Sequence, residues 1–145
     1  MRKYLVLSVF TLGLALVAGL GLTTALKAAG EVDDRTLSAA GDPVKGKRVF
    51  MRCQACHTLV AAQHRMGPSL ANLFGQEAGT AAGFPRYSNA LKEADFVWTE
   101  AALDEWLASP KAFLPGNKMP FAGIRNPQDR KDLLAYLREV FNGAQ

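Results

Sequence analysis

Apolar residues along this chain recur mostly at helical spacing, and the strict alternation of a half-buried strand is almost absent. Asp42-Pro43 reads as an N-cap followed by a first-turn proline, starting a helix that runs through Val44, Val49 and Phe50 into the stretch Cys53–His57. Ser69 caps a short predicted helix over Leu70–Phe74, stopped by Gly75. Ser88 caps another over Asn89–Ala94. Thr99 caps a third, which brings Leu103, Trp106 and Leu107 to one face and ends at Ser109-Pro110. Asn126-Pro127 repeats the cap-then-proline start, and Leu133, Leu134, Leu137, Val140 and Phe141 form the apolar stripe of a last helix, with Gly143 just beyond. Between these elements lie Gly/Pro-rich stretches at Gly67-Pro68, Gly79–Pro85 and Pro115–Gly123. The expected class is all-α, with several short helices and long loops that need something to pack on.

The N-terminus follows another pattern. Met1-Arg2-Lys3 precedes Tyr4–Leu26, a run of 23 residues without a charge, and Lys27-Ala28-Ala29-Gly30 follows. Residues 1–28 are read as either a cleaved export signal or an uncleaved membrane anchor, with membrane contact through residues 4–26 in the second case. Both place the rest outside the cytoplasm, because positive residues stay inside. The polar stretch 29–41 is read as a short linker and 42–145 as one domain. The net charge of +4 overstates the basicity of that domain. Three of the 17 basic residues lie in the first 28 positions, and from Ala29 onward 14 basic residues face 13 acidic ones. No long basic run occurs, so nucleic acid is not an expected partner.

The chemistry sits in Cys53-Gln54-Ala55-Cys56-His57, which reads C-x-x-C-H. Thiols one helical turn apart can reach the two vinyl groups of one porphyrin, and the adjacent imidazole then falls over the iron. Cys53 and Cys56 are therefore read as covalent attachment points of one haem c, and His57 as the proximal ligand. The competing readings are weaker. A thioredoxin-like pair wants a βαβ setting, and a structural zinc site usually wants four N or S ligands, whereas only His64 remains outside the motif. A simple disulfide stays open in an exported protein. The opposite iron ligand must come from Met51, Met66, Met119 or His64. Met51 precedes the motif and is expected to pack in the core. Met66 and His64 follow His57 too closely to cross a haem plane, so surface or packing roles are expected of them. Met119 lies in Pro115-Gly116-Asn117-Lys118-Met119-Pro120-Phe121, a loop stiffened by two prolines, and is the expected ligand.

With these motifs in this order, the sequence resembles the class I c-type cytochromes, in the branch of mitochondrial cytochrome c and bacterial cytochrome c2, from about Gly41 to Val140. The resemblance implies that family's fold, with N- and C-terminal helices crossing where Gly46 and an aromatic residue meet Leu133–Leu137. It implies that the Pro68 carbonyl accepts the Nδ1–H of His57, that Trp98 and Tyr87 lie near haem propionates, and that Pro115–Ile124 is the methionine loop. Leu70, Leu73, Phe84, Trp98, Leu103, Trp106, Leu107, Phe121 and Ile124 are the expected pocket walls. The sequence departs from the family pattern at Gln76 in place of an arginine, at Trp106 in place of a tyrosine beside the ligand sulfur, at Asn117 in place of a threonine, and in a longer loop at Gly83–Tyr87, where Arg86 offers a substitute cation.

The implied function is one-electron transfer in a bacterial respiratory or photosynthetic chain, not enzymatic turnover. The implied partners are membrane complexes: a quinol–cytochrome c reductase, a terminal oxidase or a reaction centre, met by a periplasmic monomer. Lys47, Arg52, Lys111 and Lys118 are expected to ring the docking face. Two alternatives stand beside it. One is a haem domain dedicated to a single periplasmic oxidoreductase, and the other a ligand-binding or peroxidatic haem protein if Met119 is not bound.

Overall fold

The computed structural model describes residues 41–142. The expectations for residues 1–28, for the linker up to residue 40 and for the Gly143 stop lie outside the described residues. Among the described residues no helix is long and apolar enough to cross a membrane. They form five helices, α1 (Pro43–Phe50), α2 (Asn89–Lys92), α3 (Glu100–Ala108), α4 (Pro110–Phe113) and α5 (Pro127–Asn142). No strand occurs among them, only one antiparallel bridge between Glu77 and Val97.

Local chemistry starts most of these helices. Asp42 Oδ1 accepts the amides of Val44 and Lys45 at 2.9 and 3.2 Å. Ser88 Oγ accepts Leu91 N–H, Thr99 Oγ1 accepts Ala102 N–H, and Asn126 Oδ1 accepts Gln128 N–H at 2.9 Å. Each satisfies an amide that the first helical turn leaves without a partner.

α1 packs against α5 through its one glycine. A Cβ on Gly46 would stand 2.8 Å from Cβ of Tyr136 and closer still to the backbone carbonyl of Asp132, so only glycine lets the two backbones approach this far. The Phe50 and Tyr136 rings meet at 5.6 Å beside it. The buried Asp132 carboxylate ties the two helices together, accepting the Asp42 amide at 2.8 Å and the Gln128 side-chain amide at 2.8 Å. α3 docks on α5 through the two-pronged pair of Arg130 with Asp104, at 2.8 and 3.2 Å. Leu133, Leu134 and Leu137 are almost fully buried with Phe50, Leu103, Leu107 and Ile124. Each such leucine contributes roughly 1.5–3 kcal/mol relative to leaving it exposed.

Three local expectations are corrected and a fourth is extended. Leu70–Phe74 is a pair of turns rather than a helix: Leu73 N–H bonds Leu70 carbonyl at 3.1 Å, and Gln76 N–H bonds Leu73 carbonyl at 3.2 Å. Asn72 sits inside the first of them at φ +58°, a left-handed residue that breaks a helix. α1 ends at Phe50, and the cysteine motif stands on turns. α2 ends at Lys92 rather than Ala94. Ser109-Pro110 ends α3 as expected but also starts the short α4, with proline at its first position.

Candidate functional site

The cysteine motif leaves α1 through successive three- and four-residue hydrogen bonds: Cys53 N–H to Phe50 carbonyl at 2.8 Å, Cys56 N–H to Cys53 carbonyl at 3.0 Å, and His57 N–H to Cys53 carbonyl at 2.9 Å. This single turn sets both thiols and the imidazole on the wall of one cleft of about 320 Å³. The returning chain is stapled to it, with Gly67 N–H bonding Cys56 carbonyl at 2.8 Å and Leu70 N–H bonding Thr58 carbonyl at 2.9 Å.

That staple delivers the Pro68 carbonyl oxygen to His57 Nδ1 at 2.7 Å. A carbonyl only accepts, so Nδ1 carries the proton and Nε2 keeps its lone pair. Burial pushes the His57 imidazole below its ordinary pKa, with the Pro68 carbonyl opposing, so burial favours the neutral ring that can bind a metal. Burial likewise pushes the Cys53 thiol up, with Arg52 pulling the other way. Cys53 and Cys56 form no disulfide. Among the described residues no group of three or more His, Cys, Asp or Glu side chains gathers as a zinc-type site would need.

The rest of the cleft is apolar and aromatic. Trp98, Trp106 and Phe121 line it, as do Tyr87 and Met119. Trp98 is held by a short strand-like pairing, its N–H to Gln76 carbonyl at 2.8 Å and its carbonyl to Gly75 N–H at 3.1 Å. It then joins a closed circuit of edge-to-face rings: Trp98 to Trp106 at 5.3 Å, Trp106 to Phe113 at 6.0 Å, Phe113 to Phe96 at 5.3 Å and Phe96 to Trp98 at 4.8 Å. Contacts of this kind add directional preference to burial and hold both indoles in place. Tyr87 hydroxyl accepts Ala81 N–H at 3.2 Å, and burial pushes its pKa up, favouring the neutral phenol.

The structure therefore brings Cys53, Cys56, His57, Pro68, Tyr87, Trp98, Trp106, Met119 and Phe121 to one cleft. Two other expectations, for Ile124 and Met51, are corrected. Ile124 is not a pocket wall. It lies in the core at 2 % exposure, drawn under α3 by its N–H bond to Leu107 carbonyl at 2.7 Å. Met51 is not in the core but 65 % exposed, at the C-cap just past the end of α1. Met66 is exposed and lines the cleft. Both nitrogens of His64 are occupied: Nδ1 accepts Ser69 N–H at 3.0 Å, and Nε2 donates to Ala82 carbonyl at 3.0 Å. Leu91 and Ser88 also line the cleft, unforeseen from sequence because α2 carries no long apolar stripe. Arg86 lies over the Phe84 ring at 5.5 Å, donates to Arg65 carbonyl and shares the lining with Gln76.

The donor set suits a covalently held haem: two thiols a turn apart, an imidazole whose Nε2 lone pair is kept, a thioether, and apolar walls that exclude water. The cleft volume falls in the range of about 300–1,000 Å³ usual for cofactor and ligand sites.

Comparison with known proteins agrees. A family model described as Cytochrome c matches residues 43–141. The cytochrome c2 of Rhodomicrobium vannielii is 49% identical over 100 residues, spanning 68% of this chain and 79% of that protein. The cytochrome c of Chlamydomonas reinhardtii is 48% identical over 103 residues, spanning 70% and 91%. Among solved structures, cytochrome cH from Methylobacterium extorquens superposes with a TM-score of 0.64 at 39% identity, covering 68% of this chain and 99% of that one.

Proposed function

The chain belongs to the cytochrome c family, whose members carry one covalent haem c and transfer electrons rather than turn over a substrate, and from that premise we propose that it is a periplasmic one-electron carrier with His57 and Met119 as its two iron ligands. Bound haem c supplies an iron that exchanges one electron between its ferrous and ferric states. Cys53 and Cys56 hold the porphyrin covalently and fix its orientation. His57 offers Nε2 because the Pro68 carbonyl occupies Nδ1–H and fixes the tautomer. Met119 offers a soft thioether, which favours the ferrous state and raises the potential. Trp98, Trp106, Leu107 and Phe121 keep water out, which disfavours the extra positive charge of the ferric state.

The observation that carries this reading is the gathering of Cys53, Cys56, His57 and Met119 on one apolar cleft, although Met119 lies far downstream in the chain. Arg52, Arg86 and Lys118 are exposed and also line that cleft, which supports docking of an acidic membrane-bound redox complex over it, an association that weakens as salt rises. Residues 1–28 are assigned to export. The intact mass of the exported protein separates a removed leader from a retained anchor.

The test of the ligand pair is the absorption spectrum of the ferric and ferrous holoprotein. A low-spin ferrous spectrum, with a weak far-red sulfur-to-iron band in the ferric form that disappears in Met119→Ala, is expected. A high-spin spectrum, or a band indifferent to that substitution, overturns the ligand pair and moves the protein toward the ligand-binding class.

A further inference from the structure

One side chain in the methionine loop has no part in the mechanism above, yet makes three hydrogen bonds. Asn117 Nδ2 donates to Pro110 carbonyl at 2.8 Å and to Leu114 carbonyl at 2.8 Å, while its Oδ1 accepts the backbone N–H of Met119 at 3.0 Å. Pro110 opens α4 and is fully buried, so the first of these bonds anchors the loop to the core.

We propose that Asn117 is the positioning residue for Met119, a single amide that clamps the loop to the start of α4 and holds the backbone from which the thioether projects. The proposal rests on the reading that Met119 ligates the iron.

The chemistry of the loop explains why one side chain carries this load. Pro115 and Pro120 have no N–H to donate, and Gly116 sits at φ +87°, a conformation with no repeating ladder. The backbone bonds here are Asn117 N–H to Leu114 carbonyl at 3.2 Å and Phe121 N–H to Met119 carbonyl at 2.9 Å. The Met119 amide is met by the Asn117 side chain, an Asx-type turn two residues long. The task needs two N–H donors and one acceptor on a short stem. A carboxylate offers the acceptor but turns an oxygen toward two carbonyls. A hydroxyl offers one donor, and so drops one of the two carbonyls.

The experiment measures how fast external cyanide replaces the methionine in the ferric holoprotein, with Asn117→Ala and Asn117→Asp beside the wild type. Asp104→Asn serves as the control, because it weakens the Arg130 pair between α3 and α5 and leaves the three hydrogen bonds of Asn117 untouched. Denaturation midpoints and the far-red band are recorded for all four proteins, and the band also for Met119→Ala. Both Asn117 variants are expected to admit cyanide faster by on the order of tenfold or more, as the loss of more than one net hydrogen bond implies. The Asp104 variant is expected to lose stability but admit cyanide at the wild-type rate. If Asn117→Ala stays within about twofold of wild type, or if the control speeds entry as much for an equal loss of stability, Asn117 is ordinary loop structure and the proposal fails. A band that survives Met119→Ala sinks the ligand reading itself and the proposal with it. A band lost in Met119→Ala with unchanged cyanide entry in Asn117→Ala sinks only the proposal.

Discussion

Nδ1 of His57 and the carbonyl oxygen of Pro68, eleven residues on, stand 2.7 Å apart, and the backbone of Gly67 is pressed against the same imidazole. Ring orientation is thus set twice, by a hydrogen bond at Nδ1 and by the Gly67 backbone against the Nδ1–Cε1–Nε2 side of the ring. Gly67 is absent from the residues with positive φ, so its requirement is space and not backbone freedom.

That distinction gives the first prediction. In Gly67→Ala the new Cβ would lie 2.7 Å from Nε2, so the ring must turn away from Pro68. Overpacking of this sort costs about 1–3 kcal/mol. Losing a partner that orients a metal-binding histidine typically weakens metal binding or activity by roughly 10–100-fold. Lower covalent haem yield, a lower denaturation midpoint and a shifted potential are expected on purification and redox titration. Wild-type values for all three would mean that the wall at Gly67 yields freely.

Gly46 sets helix propensity against packing. Replacing a mid-helix glycine by alanine should stabilise an isolated helix by about 1 kcal/mol. Here the methyl group meets the Asp132 carbonyl and Tyr136 across the α1–α5 contact, with α5 backbone rather than a flexible side-chain end in the way. Separating two packed helices outweighs the gain, and a net loss of about 2 kcal/mol is expected for Gly46→Ala by guanidinium unfolding. A more stable variant would show that the crossing can open without penalty.

Asp42 supplies the pH dependence. Its carboxyl is held below the usual value first by the Lys45 amide; desolvation opposes this, and the Lys45 side chain and the Val44 amide add to the lowering. A carboxylate depressed in the folded state contributes stability that is present above its unfolded pKa and is lost as the pH falls through the folded one. Asp42→Asn keeps the Oδ1 acceptor for the cap but has no charge to lose. The wild type is expected to unfold at higher denaturant than the variant at pH 7, with the gap closing only below about pH 4. Unfolding curves of both proteins, taken from neutral to acid, measure it. A gap independent of pH would assign the effect of Asp42 to geometry alone.

Much of this protein was legible in its residues before any fold was known. C-x-x-C-H names its own chemistry because attachment and ligation need those groups within one turn. The caps at Asp42, Ser88, Thr99 and Asn126 are legible because a side chain two or three residues from an unpaired amide acts locally. The stripe Leu133, Leu134 and Leu137 is likewise a local periodicity, and the structure buries all three. Tertiary structure decided what depends on distant neighbours. It turned Leu70–Phe74 into turns, with Leu70 and Leu73 lining the cleft and Asn72 left-handed. It sent Met51 outward and Ile124 inward, because the direction of a side chain beyond a helix end is set by what that helix packs on. It also gave Asn117 three partners, two of them carbonyls at and just beyond the ends of α4, a helix whose Phe113 packs against Trp106 and Phe96. Short-range hydrogen bonding and periodicity are written in neighbouring residues, whereas which face of a loop meets the cleft is settled when segments far apart in sequence compete for the same space.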